Sequence, residues 1–194
     1  TEGFWEFASI YRSFGCEVTV VEFLKECLPA LDSDIAKRLR KQLEQRGVQF
    51  ALQSGVTKIE QLEGNTLRVH YQKKGKDAFA DAELVLMATG RAANVGSLGL
   101  ENTEIAYTKA GITVDENMQT NVPGVYAIGD VNGKQMLAHA ATFQGFRAVN
   151  HIVGHADRIL FNIVPAAIFT HPEVGSVGLS EDQCKEQGMA YKCR

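Results

Sequence analysis

The sequence predicts an α/β chain built from two or three domain pieces. A helix–glycine–strand unit opens the chain, an antiparallel patch interrupts it from about residue 56, and α/β patterning resumes before a fresh start near Ile163. One compact domain is not expected to change style in this way.

Phe7, Ile10, Tyr11 and Phe14 share one face at helical spacing and predict a helix over 6–14 that Gly15 ends. Glu17-Val-Thr-Val-Val-Glu22 follows as a strand, and its nearly unbroken apolar run suits a parallel strand covered on both faces. Asp32 or Ser33 can cap the next helix, which runs to about Arg46 with Ile35, Leu39 and Leu43 on its buried stripe and Gly47 beyond. A short strand is expected over 48–52. Antiparallel strands are expected over 56–59, 66–72 and 79–86, with Gly64-Asn65 and Gly75-Lys76 at the turns. Leu84-Val-Leu-Met-Ala-Thr-Gly90 reads as the buried end of the last of them. Gly111-Ile-Thr-Val114 and Val125-Tyr-Ala-Ile-Gly-Asp130 are expected as further strands, and a long helix over about 138–153 follows. After Pro165 a new strand is expected over 166–169, then a helix over 180–187 with Ser180 and Gln183 placed for a capping box.

Composition excludes several classes of function. The 194 residues are 45% hydrophobic and carry 20 Lys+Arg against 23 Asp+Glu, so no basic footprint for nucleic acid is expected. The apolar runs are too short to span a bilayer, and Thr1-Glu2-Gly3 does not open a signal peptide, so a soluble cytoplasmic protein is expected. Cys16, Cys27, Cys184 and Cys193 form no Cys-x-x-Cys pair and no metal-ligand spacing, so no metal is expected. Free thiols in a reducing compartment are the expectation, with Cys16 packed before a buried strand and a Cys184–Cys193 pairing left open.

Three segments carry chemistry. Glu22 ends a strand where a dinucleotide-binding unit places the acid that accepts hydrogen bonds from the adenosine ribose, and a carboxylate there favours NAD over NADP. It serves equally as an ordinary surface acid after a strand. The glycine loop of such a unit is not evident, because Phe4 and Trp5 are bulky where backbone must approach phosphate. Next, Met87-Ala-Thr-Gly-Arg-Ala-Ala-Asn94 reads either as a close backbone approach to a ligand or as a plain turn. The third segment joins Val125-Tyr-Ala-Ile-Gly-Asp130 to Met136-Leu-Ala-His139. Gly129 permits close approach, Asp130 can accept from a polyol hydroxyl, and the helix start offers free N–H groups. Asp130 as a helix cap and His139 as a packing residue are the alternatives.

Taken in order, these motifs and Phe169-Thr-His-Pro-Glu-Val-Gly-Ser-Val-Gly178 resemble the class I pyridine nucleotide-disulfide oxidoreductases over about residues 6–190. The likeness is greatest to the dihydrolipoamide dehydrogenases, with glutathione and mercuric reductases as relatives. The resemblance implies a partial Rossmann-like NAD domain over 1–90, a central FAD-domain segment over 91–162 and the start of an α+β interface domain over 163–194. It implies cofactor contacts from Glu6 near the nicotinamide, Glu22 on the ribose, Val56 and Gly90 along the NAD site, Asp130 on the flavin ribityl chain, and Met136, Leu137, Ala138 and His139 beneath the flavin ring. His171-Pro-Glu173 matches the opening of the dimerising interface domain, and His171 does not match the family's catalytic base.

The family's flavin-binding Gly-x-Gly-x-x-Gly, its Cys-x-x-x-x-Cys redox pair and its catalytic His–Glu pair have no counterpart in these residues. The expectation is a fragment, inactive alone and without catalytic residues of its own. Its parent would move electrons between NAD(H) and a dithiol or disulfide such as dihydrolipoamide through FAD, as a homodimer and within a 2-oxo acid dehydrogenase complex. The alternatives are a non-catalytic module that self-associates or binds a partner, and a mercuric or other reductase of the same family.

Overall fold

In the computed structural model, which describes residues 3–28 and 31–193, the first helix forms over α1 (Gly3–Ser13) and buries Trp5, Ala8 and Ser9. Of the apolar stripe that predicts the helix, Phe7, Ile10 and Phe14 are exposed. Both faces of this helix are apolar, so helical spacing alone does not say which one the core takes.

Strand β1 (Val18–Val21) pairs in parallel with β2 (Val48–Ala51), Val18 opposite Val48 and Val21 opposite Ala51. Parallel neighbours need a crossover, and helix α2 (Ser33–Gln45) supplies it. Ala36, Leu39 and Leu43 form its buried stripe, while Ile35 is only half-buried. These side chains join Trp5, Ala8, Cys27, Leu28, Val48 and Ile168 in one core. Arg40 reaches from α2 to Glu26 with bonds of 2.9 and 3.1 Å and to Glu44 at 2.7 Å. Cys16, expected to be packed, is exposed, because it precedes the strand's first paired residue.

The antiparallel patch is a three-stranded sheet of β3 (Ser54–Gln61), β4 (Leu67–Lys73) and β5 (Lys76–Ala82), in that order. A bulge between Val56 and Lys58 shifts the register of β3 against β4. The β4–β5 turn falls on Lys74 and Gly75, with φ of 51° and 75°, one residue earlier than expected. Two successive positive φ values match the twist of a two-residue hairpin. Arg68 clasps Asp81 across this pair with two bonds of 2.7 Å. Strand β5 ends at Ala82, and the run expected as its buried end is neither strand nor buried: Leu84 is 68% exposed. An apolar run extends a strand only where a partner strand takes its backbone bonds, and this run joins no strand pair among the described residues.

These elements form a first unit, 1–89, together with 167–194. Its C-terminal part takes in all but the first residue of β8 (Ala166–Ile168), then β9 (Val174–Ser176) and α4 (Glu181–Glu186). The expected capping box is present, with Ser180 Oγ accepting from Gln183 N–H at 3.1 Å and the Gln183 side chain accepting from Ser180 N–H at 2.9 Å.

The second unit is 90–166. Strand β6 (Tyr107–Thr108) pairs with β7 (Gly111–Ile112), and helix α3 (Ala138–Ile152) carries Ala140, Gln144 and Ala148 inward. The strand expected over 125–130 is reduced to a single bridge between Tyr126 and Gln119, and its end winds into a 3-10 turn, Gly129–Asn132. Leu100, Ile112 and Ala127 make a small core. Arg147 knits the unit together by binding Asp157 at 2.8 Å, Glu116 O at 3.0 Å and Ile159 O at 2.7 Å.

Two expectations follow. Arg40→Leu strands the half-buried Glu26 carboxylate and should lower unfolding free energy by about 2 kcal/mol, whereas Arg38→Ala, at a side chain 78% exposed, should change it by less than about 0.5 kcal/mol. Urea denaturation of both variants checks this. Hydrogen bonds from Arg147 and then from the Ile159 N–H hold the Asp157 carboxyl at about 2, below its ordinary 3.8. A carboxyl depressed on folding stabilises fully above its ordinary value and loses that contribution as pH falls toward the folded value. Thermal unfolding between about pH 4 and pH 2 should therefore fall more steeply for the native chain than for Asp157→Asn.

Candidate functional site

In the second unit the 3-10 turn is seated from two sides. On one side, Gly111 (φ +139°) and Gly133 (φ +67°) allow backbones to meet. A Cβ on Gly111 would lie 2.6 Å from the carbonyl carbon of Asn132, and one on Gly133 would overlap the Ala110 carbonyl. On the other side lies α3: a Cβ on Gly129 would come within 3.3 Å of Ala141, and the Gly129 N–H donates to Gln144 Oε1 at 2.7 Å. The turn is thereby held against the first two turns of α3, with Asp130 between its anchored ends.

Asp130 is exposed. Its carboxylate faces Arg91, at 3.9 Å and itself 81% exposed. An ion pair that long and that solvated contributes little, so the carboxylate oxygens stand available to donors. Leu137 caps α3 without a side-chain bond, which leaves the first N–H groups of the helix to a ligand or to water. Met136 and Leu137 are half-buried, and Ala138 and His139 are exposed. His139 Nε2 lies 2.7 Å from Pro165 O. A carbonyl only accepts, so that nitrogen carries the proton and the ring straps the helix start to residue 165. Gly90 adopts φ +109°, a conformation that suits glycine.

In the first unit Glu22 leaves β1 with both backbone groups engaged: its N–H donates to Ala51 O and its carbonyl accepts from Ser54 N–H, each at 2.9 Å. Its Oε1 accepts from Leu24 N–H at 2.9 Å. The acid is thus fixed by its own loop beside the start of β3, two residues before the exposed Val56. Glu6 is not drawn into that group. Its Oε1 accepts from Phe169 N–H at 2.9 Å.

Sequence reasoning missed Gln144 and Asn132, both buried. Asn132 Nδ2 donates to Gln144 Oε1 at 2.8 Å and to Ala127 O at 3.0 Å. A cavity of about 400 Å³ in the same unit is lined by Met118, Lys134, Gln135, Gln144, Arg147 and Phe161, among others, and by none of the predicted site residues. Its cations are already engaged, Lys134 with Asp115 O at 2.9 Å and Arg147 with Asp157. The open carboxylate of Asp130 is the better placed group for a polar ligand. Among the described residues no group of three or more His, Cys, Asp or Glu could hold a metal, and no helix is long and apolar enough to cross a membrane.

Residues 5–145 match the family described as pyridine nucleotide-disulphide oxidoreductase, and residues 164–194 match the dimerisation domain of the same name. The chain is 38% identical over 189 residues to leghemoglobin reductase of Glycine max, covering 96% of this chain and 36% of that protein. It is likewise 38% identical to dihydrolipoyl dehydrogenase 1, mitochondrial, of Arabidopsis thaliana, covering 96% and 37%. Among solved structures, the HOCl-induced flavoprotein disulfide reductase RclA from Escherichia coli superposes with a TM-score of 0.84 at 29% identity, over 97% of this chain and 43% of that one. The chain thus spans little more than a third of the length of these curated relatives.

The glycine seam beneath the Asp130 turn can be tested. Gly133→Ala adds an overlap with the Ala110 carbonyl to the strain of a positive φ, and should destabilise by about 2 kcal/mol or more. Gly154→Ala, at φ +73° with open space around it, should show only the backbone part, about 1 kcal/mol. Equal losses in denaturant unfolding would mean that the seam is not tight.

Proposed function

The chain belongs to the pyridine nucleotide-disulphide oxidoreductase family, and we propose that it forms part of a flavoprotein that passes electrons between NAD(H) and a dithiol or disulfide through FAD. The observation that carries the reading is the Asp130 turn. An exposed carboxylate on an anchored turn lies beside a helix start whose cap leaves its N–H groups free, and the residues present fit a flavin there. When bound, FAD would supply the electron relay between the nicotinamide and the sulfur couple. Asp130 would accept hydrogen bonds from ribityl hydroxyls, and 136–139 would offer the N–H groups of α3 to the polar edge of the ring, where a helix N-terminus favours negative charge.

In the first unit, Glu22 would receive the adenosine ribose hydroxyls of NAD. One oxygen is already tied to Leu24 N–H, so the carboxylate is held in place with lone pairs to spare. Glu6 would lie toward the nicotinamide, with Val56 and Gly90 as backbone contacts. On this reading 1–90 serves NAD, 91–162 serves FAD and 163–194 begins a dimerising domain. The match of 164–194 to a dimerisation domain supports a homodimer. Dihydrolipoamide is the proposed substrate, on the strength of a relative named dihydrolipoyl dehydrogenase, and a 2-oxo acid dehydrogenase complex is the proposed assembly. Four free cysteines support a reducing compartment such as the cytoplasm.

A second reading, a non-catalytic module that associates through an apolar face, is favoured by Phe143, Phe146, Val149 and Ile152, all exposed on α3. The two readings separate on flavin. Titration of the chain with FAD, followed by visible absorption, should give a bound-flavin spectrum. Asp130→Asn should weaken binding about tenfold, the worth of a charge-assisted hydrogen bond. Glu22→Gln should leave FAD binding unchanged and weaken NAD instead. An absence of FAD uptake would sink the flavin reading and leave the module, for which sedimentation should then show self-association.

A further inference from the structure

We infer that Gln144 is a positioning residue of the proposed flavin site, its side-chain oxygen setting where the Asp130 carboxylate is presented. The inference rests on the reading of the Asp130 turn as a flavin contact. Gln144 is 1% exposed, among the most buried polar side chains described. A buried amide is costly unless its hydrogen bonds are made, and here one oxygen makes two. It accepts from the Gly129 N–H at 2.7 Å and from Asn132 Nδ2 at 2.8 Å. The backbone N–H of Gly129 can only donate, which identifies the atom facing it as the oxygen and fixes the amide's orientation. Gly129 and Asn132 are the first and last residues of the 3-10 turn, so a single atom on α3 anchors both ends of the segment that carries Asp130.

The rest of the network closes around the same atoms. Asn132 Nδ2 also donates to Ala127 O at 3.0 Å, and Asn132 Oδ1 accepts from Lys134 N–H at 3.0 Å. The turn is thus tied to the residues before and after it as well as to the helix. Asp130 has no comparable restraint of its own, since Arg91 stands 3.9 Å away in solvent. The placement of its carboxylate therefore depends on the backbone at 129 and 132, and that backbone depends on Gln144. A leucine at 144 would fill similar space and bury more apolar surface, but it would leave a peptide N–H and an amide N–H without an acceptor. A glutamate could accept both bonds.

The test uses the full chain with FAD as the probe and reads affinity from quenching of flavin fluorescence, with melting temperature measured in parallel. The variants are Gln144→Leu, Gln144→Glu and Leu100→Ala, the last removing bulk from the small core of the same unit without touching the network. Gln144→Leu should weaken FAD binding about tenfold, the worth of a lost buried hydrogen bond. Gln144→Glu should restore affinity to within about threefold, and Leu100→Ala should lower the melting temperature while leaving affinity within about threefold. Amide exchange at Gly129, followed without flavin, should accelerate in Gln144→Leu and not in Gln144→Glu. Affinity in Gln144→Leu no weaker than in Leu100→Ala, or an unchanged Gly129 exchange rate, overturns the inference while the flavin reading stands. No FAD binding by the unaltered chain overturns the flavin reading and the role of Gln144 within it, even where Gly129 exchange responds.

Discussion

The first unit closes on the indole of Trp5. The ring is fully buried, with Phe4 and Phe50 at centroid distances of 5.5 and 5.3 Å and Leu39, Leu43, Val48 and Ile168 in the same cluster. Its Nε1–H finds no partner among the described residues, an omission that costs about 1–3 kcal/mol. Burying roughly 200 Å² of ring at about 25 cal/mol per Å² contributes about 5 kcal/mol. The apolar contribution is the larger, so the indole holds α1, the β1–β2 pair and the C-terminal segment together despite its orphaned donor. The bulk at Phe4 and Trp5 that argues against a phosphate-binding turn at this point is the packing that fastens α1.

The second unit solves the same problem with fewer apolar side chains. Its core is small, and its order comes from directed contacts: Gln144 and Asn132 beneath the turn, Arg147 joining Asp157 to two backbone carbonyls, and two glycines that let the β6–β7 hairpin and the 3-10 turn meet at backbone distance. Apolar packing tolerates small displacements, whereas a buried hydrogen-bond network loses a bond when any member moves. A unit proposed to present one carboxylate to a ligand benefits from the stricter kind of order. Its surface bears the consequence, since α3 has little to bury its outer apolar face against within the unit.

The α/β character and most elements could be read from local signals. Helix α4 carries its own capping box, α2 has a three-to-four-residue apolar stripe, and the β-branched run of β1 forms a parallel strand with the crossover implied by α2. Local signals fall short wherever the outcome is decided by a distant partner. The buried face of α1 is chosen by Phe50 and Ile168 rather than by the helix. The apolar run after Ala82 joins no strand pair among the described residues, and the stretch over 125–130 ends in a turn whose Gly129 N–H donates to Gln144. Gln144 itself had no signal, since an interior glutamine of a helix declares no role until the atom it accepts from is known. Glu22 and Asp130 could be singled out as candidates from their place after an apolar run, although position alone leaves a surface acid or a helix cap as equal readings.

Those two carboxylates share a physical design. Each is immobilised through backbone rather than through a charged partner: Glu22 by Leu24 N–H and the flanking strand bonds, Asp130 by the anchored turn that bears it. An ionised carboxylate offers about four acceptor positions, and a salt bridge would take the best of them while neutralising the charge. Restraint through the main chain leaves both the charge and the lone pairs in place. A negative group of this kind repels phosphate and attracts neutral donors, so each suits the hydroxyl-bearing part of a dinucleotide better than its pyrophosphate. The uncapped N–H groups at the start of α3 have the opposite preference. A carboxylate and a helix start set side by side can therefore sort a single ligand end to end, hydroxyls to one and the electron-rich ring edge to the other, and that polarity is the strongest physical support for the flavin assignment.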